Sequence, residues 1–398
     1  MVPNSHILLI CPAGVGGVQG FCANLADAFV KAGLRVCVLF EHGGPETQAD
    51  LPTSAGVQRS VFAYSSFDNP YWVLRRMAKL IASGRFDVVY PNTSAVAYRA
   101  IGLLGPGRPV AIGGCTGNNP HDYACNTEFA DYLDHVFSVS SQGARVLTQR
   151  LADRGLGITI IPHGIKPAEV APRRSFAGEL RLVFAGRFDA GKRLHDVIEV
   201  ARKLNEHDVP FSLTLAGDGP ERPAVERACL TSGIGRKARL LGFISREGVE
   251  SLMQESHVNL LLSESEGFGL SVLEGMKWGC VPVVTDTCGC IDAMEDGVNG
   301  FIVKLGDVER VAELVHQLDR DRALLSRMSA STARTAREDF RTEREVTQHL
   351  EILRVAREHH RSRASLTVPW NFEPPSLINH PWVPNWLAHA LRRAKDRF

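Results

Sequence analysis

The 398-residue chain reads as α/β, with two doubly wound parallel-sheet domains in tandem. Short apolar, β-branched runs alternate with longer stretches of helical period, the pattern of parallel strands covered by helices on both faces. A polar, Pro-containing stretch at 166–179 interrupts the alternation, which then restarts. The length agrees, since roughly 100 to 200 residues per domain makes two domains, or at most three.

In the first half, the strand candidates are 6–11, 34–40, 57–62, 87–90, 110–113, 136–139 and 158–161. After the break they are 180–185, 211–216, 239–242, 258–262, 281–284 and 301–303. Residues 308–360 are mostly helical, with Thr342 as N-cap and Glu345 as its capping-box partner. The expected organisation is a first domain at 1–165, a linker at 166–179, a second domain at 180–345, a terminal helix at 346–364 crossing back to the first domain, and a tail at 365–398. The tail is rich in Pro and holds Trp370, Trp382 and Trp386. It ends in a basic amphipathic helix with Trp386, Leu387, Ala390, Leu391 and Ala394 on one face and Arg392, Arg393, Lys395 and Arg397 around the other. Such a helix can lie in a membrane interface, or dock on the first domain or on another subunit of a homodimer. Tyr71, Trp72, Leu74, Arg75, Arg76 and Lys79 form a similar pattern, read as a helix covering the first sheet.

The composition is 44% hydrophobic and 22% charged with a net charge of +1, so no global field favours nucleic acid or an anionic surface, and any such contact needs a local patch. Nine Cys, an odd number without a C-x-x-C pair, read as reduced thiols filling the core. No run approaches the ~18 apolar residues of a membrane span, and the apolar run 7–10 follows no basic n-region. These features place the protein in the cytoplasm, with contact only at the inner face of the membrane.

Two doubly wound domains face each other across a cleft at the carboxyl ends of their strands, where ligands of such folds bind. The strongest motif there is Ser263-Glu264-Ser265-Glu266-Gly267-Phe268-Gly269-Leu270-Ser271-Val272-Leu273-Glu274, which leaves a strand, passes two glycines and enters a helix. The helix start offers amides to a phosphate, and Glu266 and Glu274 can accept hydrogen bonds from sugar and ribose hydroxyls. The plain alternative is a Gly-rich turn with solvated acids. Gly186, Arg187 and Lys192 follow another strand and can clamp a diphosphate, a solvated loop being the alternative. Gly14, Gly16, Gly17 and Gly20 follow the first strand, with Glu41 ending the next, so an NAD(P)-dependent oxidoreductase stays open. The one D-x-D, Asp319-Arg320-Asp321, reads as helix-start acids, and neither a metal nor a cofactor is indicated.

Taken in order, Gly16-Gly17 with Leu25-Ala26, Ile161-Pro162-His163-Gly164-Ile165, Gly186-Arg187 with Lys192, Leu215-Ala216-Gly217-Asp218-Gly219-Pro220, Leu241-Gly242-Phe243, Glu266-Gly267-Phe268-Gly269-Leu270 with Glu274, and Glu295-Asp296-Gly297-Val298-Asn299-Gly300-Phe301 resemble glycosyltransferase family 4. The likeness runs from residue 1 to about 360. It implies the GT-B architecture and transfer of a hexose from a UDP- or GDP-linked donor, with retention, to a hydroxyl of a glycan, a lipid-linked sugar or a small molecule in polysaccharide, lipopolysaccharide or glycoconjugate biosynthesis. By the same resemblance Glu274 holds the ribose, Glu266 the donor sugar, and Arg187 and Lys192 the diphosphate. The amides of Phe268, Gly269 and Leu270 hold phosphate or sugar, with Gly267 also donor-binding, while Gly16 and Gly17 let the first-domain loop approach. Where relatives carry a sugar-contacting His, this chain has Thr116, and His121 is the nearest catalytic substitute. Cys288-Gly289-Cys290 stands where relatives have a small, Gly-rich turn. Two rivals remain: a catalytically silent scaffold that binds nucleotide sugar, and the oxidoreductase.

Overall fold

The computed structural model describes residues 5–12, 17–42, 55–168, 174–360 and 383–395. Gly14, Gly16, Trp370 and Trp382 lie outside the described residues, as do residues 169–173 of the linker and most of the tail.

The first sheet is built from β1 (His6–Pro12), β2 (Arg35–His42), β3 (Val57–Ala63), β4 (Val88–Asn92), β5 (Val110–Cys115), β6 (His135–Ser138) and β7 (Gly157–Ile160). The second holds β8 (Leu180–Ala185), β9 (Phe211–Ala216), β10 (Ala238–Gly242), β11 (Val258–Leu261), β12 (Val281–Thr285) and β13 (Phe301–Val303). Every predicted strand is present, displaced by no more than two residues at an end. All pairings are parallel, in the orders β3-β2-β1-β4-β5-β6-β7 and β10-β9-β8-β11-β12-β13. Strands buried on both faces carry unbroken apolar runs rather than alternation, and Ile7, Leu8, Leu9 and Ile10 are fully buried accordingly.

The helices of the first domain are α1 (Gly17–Lys31), α2 (Pro70–Ser83), α3 (Ala95–Gly102), α4 (Pro120–Glu128) and α5 (Ser141–Arg150). Those of the second are α6 (Leu194–Glu206), α7 (Arg222–Thr231), α8 (Arg246–Glu255), α9 (Leu270–Lys277), α10 (Val308–Arg320) and α11 (Arg322–Asp339), followed by α12 (Thr342–Glu358) and α13 (Asn385–Lys395). Side-chain caps fix several starts: Asn69, Ser94, Asn119 and Ser140 each accept from an amide of the following turn. Asp321 of the D-x-D caps α11 by accepting from the Leu324 N–H at 2.8 Å.

The helix α12 leaves the second domain and packs on the first. Its His349 is fully buried, with ring centroids 4.8 Å from Phe137, 5.7 Å from Tyr90 and 6.0 Å from Phe21. The expected capping box at its start is not formed. Arg341 is the N-cap, without a side-chain bond, and the Glu345 carboxylate turns to the first domain's last loop. There it accepts from the Gly164 N–H at 3.0 Å and pairs with His163 Nδ1 at 3.4 Å, because Gly164 brings the loop backbone against Arg341 and Thr342. The chain passes between domains on both sides of this point, so the contact pins the hinge. The tail helix α13 docks beside α2 on the first domain.

All nine Cys are free and buried. Burial also holds three imidazoles neutral, pushing His349 down to about 3 and His135 and His257 to about 4. Below the ordinary imidazole value near 6.5 the unfolded chain therefore takes up protons that the folded chain refuses, and stability falls as pH drops from there toward 4. Thermal unfolding between pH 7 and pH 5 is expected to show a falling midpoint, and His349→Leu to flatten that fall. An identical pH profile in the variant contradicts the account.

Candidate active site

Strand order reverses between β1 and β4 in one sheet and between β8 and β11 in the other, and crevices open at such switch points beyond the carboxyl ends of the strands. The turns after β8, β9, β10 and β11 meet the start of α1 there around an interdomain cavity of about 800 Å³. Gly17, Gly20 and Asn24 of α1 form one wall. Gly186, Arg187, Lys192, Gly217, Phe243, Arg246, Glu266, Gly269, Leu270 and Glu274 form the other.

The turn at 263–269 is held from beneath. Thr285 and Thr287 hydroxyls both donate to the Ser263 carbonyl, at 2.6 and 2.7 Å. Glu266 is held by backbone, its carbonyl accepting from the Gly289 N–H at 3.0 Å, and the Glu264 N–H donates to the Gly191 carbonyl at 2.8 Å. Gly269, at φ 78°, takes the left-handed conformation that starts α9 and offers no side-chain cap. The Val272 N–H donates to the Gly269 carbonyl at 2.8 Å, and the Leu270 and Ser271 amides, without a partner among the described residues, face outward at the positive end of the helix dipole. Phe268 is buried, edge-on to His163 and against Phe340, and anchors the turn rather than lining the cavity.

Gly217 has φ 141°, and any Cβ there would overlap the Gly186 carbonyl oxygen, so the turns after β8 and β9 run backbone to backbone. This presents Arg187 and Lys192 to the cavity. Arg187 is 67% exposed and tethered through Nε to Asp189 at 3.0 Å. Lys192 Nζ pairs with the Glu266 carboxylate, which leaves the ammonium further donors for a second anion. Glu274 sits on α9, where desolvation raises its carboxyl above the ordinary range, partly offset by Arg246 and Lys277.

His121, the expected catalytic substitute, and Thr116, at the position where relatives carry a His, both stand outside the cavity lining. The ring of His121, on the first turn of α4, lies 2.9 Å from the Thr93 carbonyl and 3.7 Å from Cys125 Sγ, and it does not line the cavity. Thr116 is buried with no hydrogen-bond partner for its hydroxyl among the described residues, and its carbonyl stands where a Cβ on Gly267 would be. Gly289 of the Cys-Gly-Cys turn is equally constrained, since a Cβ there would overlap the Gly267 carbonyl. Around this contact lies an interdomain network that sequence reading missed. Ser141 donates through N–H and hydroxyl to Asp292, both at 2.5 Å. Gln142 donates to the Asp286 carbonyl at 2.7 Å and accepts from Asn118 at 2.7 Å, and the Ser265 hydroxyl donates to the Asn118 carbonyl. The partners across the two domains lie more than a hundred residues apart, and no local motif marks them.

Two family models match, Glycosyltransferase Family 4 over residues 15–169 and Glycosyl transferases group 1 over 166–335, together spanning both domains and the cleft. The chain belongs to this glycosyltransferase family. Among curated relatives of this chain, N-acetyl-alpha-D-glucosaminyl L-malate synthase of Bacillus anthracis is 32% identical over 42% of this chain and 43% of its own length. A glycogen synthase of Mycobacterium tuberculosis is 24% identical over 83% of this chain and 88% of its own. The matched segment thus spans less than half of the first relative and most of the second. Among solved structures, HepE of Anabaena with UDP-glucose superposes with a TM-score of 0.72 at 15% identity, covering 88% of this chain and all of that one. A glycosyltransferase from Rickettsia africae gives 0.72 at 19%, over 89% and 98%. The two-domain arrangement is GT-B.

A nucleoside diphosphate in the cavity would meet Glu274, whose raised carboxyl protonates sooner than an ordinary one on acidification. Calorimetric affinity for UDP or GDP is expected to fall before pH reaches the usual carboxylate range near 4.5, and Glu274→Gln to remove that dependence. Matching profiles in the two proteins would take Glu274 out of the site.

Proposed function

We propose that the chain is a retaining, metal-independent hexosyltransferase that moves a sugar from a UDP- or GDP-linked donor to a hydroxyl of a glycan, a lipid-linked sugar or a small molecule. The observation that carries this reading is the grouping of Arg187, Lys192, Glu266, Glu274 and the uncapped start of α9 around one cleft. Glu266 and Glu274 suit the hydroxyls at the two ends of a nucleotide sugar, and the cations suit the diphosphate between them. UDP and UDP-glucose occupy solved structural neighbours, and one relative from Xanthomonas oryzae is named for GDP-mannose. Both bases therefore stay in the proposal. The cytoplasm and the assembly of polysaccharide, lipopolysaccharide or another glycoconjugate form its setting.

In the reaction, the bond from the anomeric carbon to the phosphate oxygen breaks and the nucleoside diphosphate leaves with the electron pair. Negative charge grows on that oxygen, and Arg187, Lys192 and the α9 amides stabilise it without having to reorganise. The acceptor hydroxyl oxygen bonds to the same face of the sugar, which retains configuration. Its proton passes to the departing phosphate oxygen beside it. Glu266, held through its backbone, fixes the donor sugar. Gly17 and the first-domain wall let the acceptor approach closely. The position of His121 favours one rival, a silent scaffold that binds donor without turnover.

Calorimetric titration with UDP, GDP and ADP sugars and with NAD(P)H, each followed by assay of hydrolysis or transfer, tests the reading. One nucleotide sugar is expected to bind and to be hydrolysed slowly without acceptor. Binding without turnover would support the scaffold, and binding of NAD(P)H alone would overturn the proposal. Arg187→Ala is expected to lower kcat by about 10²-fold or more with little change in KM, because its charge acts on the leaving group. A change confined to KM would make it a binding residue only.

A further inference from the structure

The tail helix α13 is seated in an unusual sense. Its polar side chains hold it to the first domain. Asn385 Oδ1 accepts from the Asn69 N–H at 2.7 Å, and Asn385 Nδ2 donates to Asp68 at 3.0 Å. The Arg392 guanidinium donates to the Phe67 carbonyl at 2.7 Å. Among its apolar residues Ala388 is buried, but Trp386 is 71% exposed, Leu391 is 45% exposed and Ala390 faces solvent as well. An amphipathic helix that only had to cover a protein would bury that face.

The neighbouring surface continues the pattern. The Trp72 indole N–H donates to the Val383 carbonyl at 3.1 Å, which joins α2 to the start of α13. Trp72, Arg75, Arg76 and Lys79 occupy the outward face of α2 at helical spacing. Neither helix contains an Asp or a Glu, in a chain whose total charge is only +1. Asp68, the carboxylate at the junction, is engaged by Asn385 and by the Ser65 N–H. The surface thus combines outward indoles with the exposed cations Arg75, Arg76 and Lys79, which pair with no carboxylate among the described residues. Tryptophan favours the headgroup region of a bilayer, and cations are drawn to anionic lipid within a Debye length.

We propose that the α2–α13 face is a peripheral membrane-binding surface for anionic lipid. Trp386 and Leu391 enter the interface, and Arg75, Arg76 and Lys79 lie over the headgroups. The cleft's chemistry and this surface are independent, so either can fail alone.

Flotation of the full chain with sealed vesicles tests this, using phosphatidylcholine alone and with about 30 mol% phosphatidylglycerol at about 0.15 M salt. The chain is expected to float with the anionic vesicles only. Trp386→Ala with Leu391→Ala is expected to lower the bound fraction roughly tenfold. Arg75→Glu with Lys79→Glu is expected to abolish it, and thermal melts check that each variant keeps the parent fold. Failure of the parent to float on anionic vesicles overturns the proposal, as does equal flotation of the parent and the Trp386, Leu391 variant. A dimer in sedimentation velocity that Trp386→Ala dissociates, without flotation, would assign the face to a second copy of the chain instead.

Discussion

At Gly267 the backbone of the second domain runs directly against the Thr116 carbonyl of the first, and at Gly289 the supporting turn runs against Gly267 in the same way. A side chain at Gly267 would hold the domains apart, and one at Gly289 would press on both Gly267 and Ser140 of the first domain. Because these residues have none, the turn that carries Glu266 reaches the first domain, and the Ser141, Gln142, Asn118 and Ser265 hydrogen bonds close around it. The spacing between the two walls of the cleft follows from this contact. Such fits are sensitive in both directions, since the packed backbone can neither absorb an added methyl nor fill a gap.

Charge at the site is arranged by backbone as much as by side chains. Parallel sheets with reversed strand order bring four turns to one crevice, and glycines at the closest approaches let those turns meet. Arg187 is half free, tethered only to Asp189, whereas Lys192 and Glu266 neutralise each other. A diphosphate is therefore offered one exposed guanidinium, one ammonium with spare donors, and the end of a helix dipole. Away from the cleft the opposite balance holds, with Glu345 and His163 buried together at the hinge and His349 kept neutral in an aromatic pocket.

Much of this was legible in the sequence. Thirteen strands could be located because buried parallel strands are continuous apolar runs, and the Glu266 to Glu274 segment could be read as a candidate site because its glycines bare amides at a helix start between two carboxylates. The hidden parts are those that depend on distant partners. Glu345 has the spacing of a capping box, but tertiary structure gives it Gly164 and His163 instead. His121 lies close in sequence to the position of a sugar-contacting His, yet α4 turns it to the Thr93 carbonyl. The tail helix shows its two faces plainly in sequence, but only the structure tells which face it spends on the protein.

The central claim is that the chemistry requires the two domains in backbone contact at Gly267. It is tested most directly by Gly267→Ala, comparing nucleotide diphosphate binding by calorimetry with turnover of the sugar donor. The account predicts that the nucleotide still binds to the second-domain wall, while turnover falls by about 10²-fold or more because the acceptor side is displaced from the reacting carbon. Full turnover in that variant, with the fold intact, would contradict it.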